Sequence, residues 1–152
     1  MVVRQDRVEG FRKALERAEL VYEPSLTVES MPSKEGGFEA MTRLLAQGER
    51  PAAAVCFDDV VAIGAMMALA RHGLAVGRDM AIVGFDDTAE ARHAPTALTT
   101  ISVNAVGLGE RAAQMLLRQI VEGEPRIETY IGEARLVVRE SCGASSHSRR
   151  AS

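Results

Sequence analysis

Two stretches, AAAVCFDDVVAIGAM and MAIVGFDDTAEAR, each end an apolar run on a phenylalanine followed by two carboxylates, Asp58-Asp59 and Asp86-Asp87. An ionised carboxylate accepts hydrogen bonds without donating, and its charge strengthens them. One Asp can therefore clamp two neighbouring hydroxyls of a polyol. The same side chain at a helix start caps free backbone N–H groups, for about 1 kcal/mol. Paired acids at neighbouring strand ends could instead hold Mg²⁺ or accept a phosphoryl group. Against that, no P-loop glycine pattern occurs, and the two lysines, Lys13 and Lys34, lie away from the apolar runs. His72, His93, His147, Cys56 and Cys142 are not spaced for zinc, a disulfide or a nucleophile–base pair. GLGERAA lacks the third glycine of a dinucleotide fingerprint. No catalytic residue, metal ligand or cofactor is expected, and the chain does not read as an enzyme.

The elements that must position these acids follow from periodicity. Val8, Phe11, Leu15 and Ala18 recur at helical spacing across 5–19. A short β-favouring run, 26–29, lies between Pro24 and Pro32. Ser33 reads as the N-cap of a helix with Phe38, Met41, Leu44 and Leu45 on its apolar face, ended by Gly48. Strand 52–57, helix 60–72 stopped by Gly73, and strand 80–85 follow. An irregular stretch around Pro95 leads to strand 98–103. Asn104 then caps a helix to Glu122, closed by Gly123 and Pro125, and 135–139 is a last strand. Residues 143–152 read as a polar, disordered tail.

Strands alternating with helices imply a mostly parallel α/β sheet with helices on both faces. AAAVCF and MAIVGF are apolar throughout, as strands buried on both sides should be. Both carboxylate pairs then fall at the carboxyl ends of strands, where open α/β sheets bind ligands. Asp59, next to a helix start, reads as its cap, and Asp87 as the acid holding the following loop. For Asp58 and Asp86, capping and ligand binding both stand.

Composition bounds the class. The chain has 152 residues, 47% hydrophobic and 26% charged, which suits one packed domain, or one and a fragment of another. A net charge of −3 argues against this chain coating a phosphate backbone. No run is long and apolar enough to span a bilayer, and MVVRQDRVEG does not resemble an export signal. Two unpaired cysteines suit a cytoplasmic protein.

The run RPAAAVCFDDVVAIGAMMALARHGLAVGRDMAIVGFDD, then APTALTTISVNAVGLGERAAQMLL and RLVVRES, resembles the effector-binding region of LacI/GalR-family transcriptional repressors. DRVEGFRKAL and SKEGGFEAMTRLL resemble the segment just before it. The resemblance implies a periplasmic-binding-protein-like (type I) fold of two α/β subdomains with a small effector between them. It implies a C-terminal subdomain from 1–97 and 127–142 lacking its first strand, and a remnant, 98–126, crossing into the N-terminal subdomain. By the same resemblance Arg7, Asp58 and Asp86 contact the effector, a sugar or related polyol or nucleoside. Pro32 stands where many members stack an aromatic ring. Helix 60–72 and the loop near His93 match the homodimer contact, with Ile63, Met67 and Arg71 facing the partner. Operator DNA is read in that family by a helix-turn-helix headpiece that this chain lacks, so the chain resembles the C-terminal half of a repressor. Two departures, Asp at 58 where Asn is common and Pro at 32, leave the effector's identity open. Read from residues alone, Met66, Met67 and Ile63 suit an ordinary core as well as a partner. A sugar receptor of an ABC-type transporter is the alternative with the same fold.

Overall fold

A computed structural model describes residues 2–48, 50–123 and 127–144. The elements are α1 (Val2–Arg17), α2 (Lys34–Ala46), β1 (Ala53–Val55), α3 (Asp59–Arg71), β2 (Ala81–Phe85), α4 (Ala89–His93), β3 (Thr99–Ser102), α5 (Ala105–Glu122) and β4 (Arg135–Val137). Single 3-10 turns stand at Pro24–Leu26 and Glu140–Cys142. The sheet runs in the order β1-β2-β3-β4; the first three strands are parallel and β4 is antiparallel to β3. The expected tail from 145 onward, Pro125 and His147 lie outside the described residues.

The register explains which face each strand residue serves. Val55 pairs with Val83, Phe85 with Ile101 and Ile101 with Leu136, so these share one face. Ala54, Cys56, Ile82 and Thr100 alternate onto the other, where α3 lies. Helix α3 is itself wedged between the sheet and α2. Ala62, Ile63, Ala65, Met66, Ala68 and Leu69 of α3 join Met41 and Leu44 of α2, with Met80, Ile82, Ala91 and Leu98, in one core. A helix covered on two sides must be apolar nearly all round, which is why DVVAIGAMMALAR carries so little charge. The two helices touch through glycines: a Cβ on Gly37 would stand 2.1 Å from the Val61 carbonyl oxygen, and one on Gly64 2.0 Å from that of Lys34.

Three expectations are corrected here. Residues 26–29 form no strand: after the 3-10 turn the chain is extended but unladdered, although Leu26 and Val28 still pack against the core. Among the described residues β1 is the edge strand on that side, and 26–29 does not ladder onto its open edge. Nor is β1 buried on both faces, since Val55 is 54% exposed. The stretch before Pro95 is ordered as α4, and His93 ends that helix rather than lying in a loop.

Candidate functional site

The parallel pairing of β1 and β2 brings both Phe-Asp-Asp triplets to one end of the sheet. The ladder continues past the strands, with the Cys56 N–H donating to Val83 O at 2.8 Å and the Asp86 N–H to Ile101 O at 2.8 Å. By alternation Phe57 and Phe85 point to the face away from α3, and there α1 delivers Arg7. Its guanidinium carbon sits 3.7 Å from the centre of the Phe85 ring and 4.4 Å from that of Phe57. Arg7 also donates to the Phe57 carbonyl oxygen. Two rings and one carbonyl thus hold a half-buried cation in place, a desolvated arrangement that strengthens cation–π attraction. The repeated phenylalanine before each acid pair makes the seat for Arg7, a role the sequence reading missed, although the repetition itself was the signal.

Asp59 is not the cap it was expected to be; of the two readings left open for Asp58, capping is the one seen. Asp58, not Asp59, is the N-cap of α3: its backbone is extended and its Oδ1 accepts from the Val61 N–H at 2.7 Å. Asp59 is the first helical residue and is fully buried. It points back under the sheet end, where it accepts from the Thr88 N–H at 2.7 Å and from the Thr100 hydroxyl at 2.5 Å. The cap position is set one residue earlier than expected because the chain leaves β1 extended through 58. Asp58 uses one oxygen as a cap, and a carboxylate has acceptor capacity at the other.

Asp86 stands at the tip of β2 with φ 109, followed by Asp87 at φ 54. Partial burial holds the Asp86 carboxyl above the usual aspartate range; Arg7 opposes that rise, while Asp59 and Asp58 add to it. Arg7 and Asp58 therefore both lie within electrostatic reach of Asp86. Asp87 is not a helix cap either, because Thr88 caps α4 by accepting from the Ala91 N–H at 3.2 Å. Asp87 instead ion-pairs with Arg139 at 2.5 Å and Arg92 at 3.1 Å. Burial pushes its carboxyl up, but the bonds from Arg139 and Arg92 outweigh it, and the group lies below the usual range. Burial, helped by Asp58 and Asp59, pushes the neighbouring Cys56 thiol up to about 12. That disfavours the thiolate, the nucleophilic form.

Pro32 is exposed just before Ser33, which caps α2 by accepting from the Gly36 N–H at 3.0 Å. No hydrogen bond or ring contact described joins Pro32 to Arg7, Asp58 or Asp86. Of the residues expected at a partner, Met67 is 54% exposed, and Arg71 and His93 are exposed. Ile63 is corrected: at 9% exposure it belongs to the buried core cluster. Two surface cavities, of about 680 and 220 Å³, lie along α2; the larger is lined by Met31, Phe38 and Arg43 among others, the smaller by Thr42, His72 and Leu74 among others. Neither includes the strand-tip cluster, which is an open platform. Among the described residues no three His, Cys, Asp or Glu are grouped to hold a metal, and no helix is long and apolar enough to cross a membrane.

Known proteins show the same architecture. The family of periplasmic binding protein-like domains matches residues 2–142. The transcriptional repressor PurR of Haemophilus influenzae is 42% identical over 124 residues, covering 82% of this chain and 37% of its own. The chain belongs to the LacI/GalR family. Among solved structures of that family, the lac repressor dimer bound to operator and the anti-inducer ONPF matches with a TM-score of 0.85 at 31% identity, over 95% of this chain and 43% of that one. A LacI-family regulator from Enterococcus faecium with bound ribose matches at TM-score 0.82 and 27% identity, over 89% of this chain and 50% of that one. The chain thus spans well under two thirds of the relatives it matches, as a part of the family's effector-binding domain does. These relatives are named as transcriptional repressors and regulators, not enzymes.

Proposed function

We propose that Arg7, Asp58 and Asp86 are this chain's contribution to the effector site of a DNA-binding regulator, and that the effector is a small polyol such as a sugar or nucleoside. The observation that carries it is the Arg7 guanidinium, seated on Phe57 and Phe85 with two carboxylates in reach. A fixed cation flanked by acceptors matches adjacent hydroxyls: each accepts from Arg7 and donates to an Asp. The ribose bound by the Enterococcus faecium regulator is a ligand of that class. Pro32, at the start of α2, would offer a rim without a ring face for stacking.

Two parts of the proposal concern partners. Helix α5 has no buried residue, yet exposes Leu116, Leu117, Ile120 and Val121. That supports 98–126 as the crossing into a second subdomain that closes over the platform. Met67, Arg71 and His93 would meet a second copy about a two-fold axis, the geometry usual for dimers; the similar lac repressor is named as a dimer. The transporter-receptor alternative has no observation in its favour. Heteronuclear NMR titration with D-ribose, D-glucose and adenosine tests the site. Weak binding, roughly millimolar, is expected, with shifts at Arg7, Asp58 and Asp86. Shifts confined to other residues, or none with any of the three, would sink the reading.

A further inference from the structure

The ligand platform leaves one buried acid unused. Asp59 is fully buried, and its two oxygens serve different elements. Oδ2 accepts from the Thr88 N–H, at the end of the turn that carries Asp86. Oδ1 accepts from the Thr100 hydroxyl on β3, and the Thr100 oxygen in turn accepts from the Asp87 N–H at 3.4 Å. The Asp86 N–H donates to Ile101 O. Three successive N–H groups are therefore held from below, two of them through Asp59. This matters because Asp86 and Asp87 both have positive φ, a conformation that non-glycine residues keep only where the surroundings impose it. The chain also makes room for the acid: a Cβ on Gly84 would lie 2.3 Å from Asp59 Oδ1. That accounts for a glycine in the middle of β2.

We propose that Asp59 is a positioning residue for the effector site, setting the place of Asp86 relative to Asp58 through its bonds to Thr88 and Thr100. The inference rests on the reading of Arg7, Asp58 and Asp86 as a ligand platform. Asp58 is joined to Asp59 by a peptide bond, and Asp86 sits on the turn that Asp59 holds. One carboxylate thus couples the two acids across the β1–β2 boundary. An amide in its place breaks the relay at nearly constant volume. Asn has a single acceptor oxygen; with that on the Thr88 N–H, its NH₂ faces Thr100 Oγ1, and the Thr100 hydroxyl that anchored the Asp87 N–H loses its own acceptor.

The test compares Asp59→Asn, Thr100→Val and Thr100→Ser in this chain by amide hydrogen exchange and by NMR titration with D-ribose. In the first two variants the Asp87 and Thr88 amides should exchange about tenfold faster or more, and ribose affinity should fall about tenfold. Thr100→Ser, which keeps the hydroxyl, should restore both, and thermal unfolding should stay cooperative throughout. Should Asp59→Asn fail to fold, the two Thr100 variants carry the comparison. Unchanged amide exchange overturns the proposal, and so does faster exchange with ribose affinity unaltered. Equal ribose binding by all variants removes this inference alone; absence of any ribose-induced shift in the unsubstituted chain removes the platform with it.

Discussion

Among single residues, the four acids of the two triplets do four different things. Asp58 caps a helix, Asp59 is buried under the turn, Asp86 is open at the tip and Asp87 is ion-paired. Substituting Asp86 should therefore strike ligand binding and little else. Asp86→Ala should weaken sugar binding by about 1.5–3 kcal/mol, read by NMR titration, with the melting temperature essentially unchanged. Asp87 should behave in the opposite way. Its folded-state pKa is depressed by Arg139 and Arg92. Its contribution to stability is therefore present above the unfolded value of about 3.9 and lost as pH falls through the folded value. Asp87→Asn should flatten the acid limb of a melting-temperature profile. An acid limb that keeps its slope in that variant would show the pair contributes nothing.

At the level of elements, the protein depends on how closely α2 and α3 approach. Gly37 and Gly64 each face a backbone carbonyl of the other helix, and a backbone atom has no rotamer through which to yield. Gly64→Ala should destabilise the chain by about 1–3 kcal/mol or more, as overpacking does, measured by urea unfolding. The consequence reaches the site, because α3 carries Asp58 at its first turn and α2 begins at the Ser33 cap beside Pro32. The helix caps themselves were legible wherever a short polar residue stood before a periodic run, as with Ser33 and Asn104. Two adjacent acids defeated that rule at α3. Both Asp58 and Asp59 are good caps, and only the extended backbone at Asp58 chooses between them.

The whole molecule exposes 10638 Å², against about 7,500 Å² for a compact monomer of 16.4 kDa. Part of that exposed area is apolar. Much of the apolar part lies on α5 and the segment after it, including Ile120 at 67%, Val121 at 84% and Ile131 at 86% exposed. This surface should make the isolated chain self-associate in a concentration-dependent manner. Leu117→Glu combined with Ile120→Glu should suppress the α5-mediated part of that association in sedimentation velocity, and leave the dimer proposed through Met67. A dimer that survives the double variant and is lost only in Met67→Glu is the contact proposed for α3.

Sequence alone was enough for the α/β class, the parallel strands, most helix bounds and the position of the Phe-Asp-Asp triplets at strand ends. Those follow from local propensity, hydrophobic period and turn chemistry, which neighbouring residues determine among themselves. It did not decide which acid of each pair caps a helix, is buried or is ion-paired. Nor did it place Ile63 inside, or show that 26–29 would stay unladdered. Each of these depends on what lies across the fold: Thr100 bonded to Asp59, Ile82 and Leu98 in one core with Ile63, and the open edge of β1 to which 26–29 is not laddered. Such contacts join residues far apart in the chain, and only the folded packing brings them together.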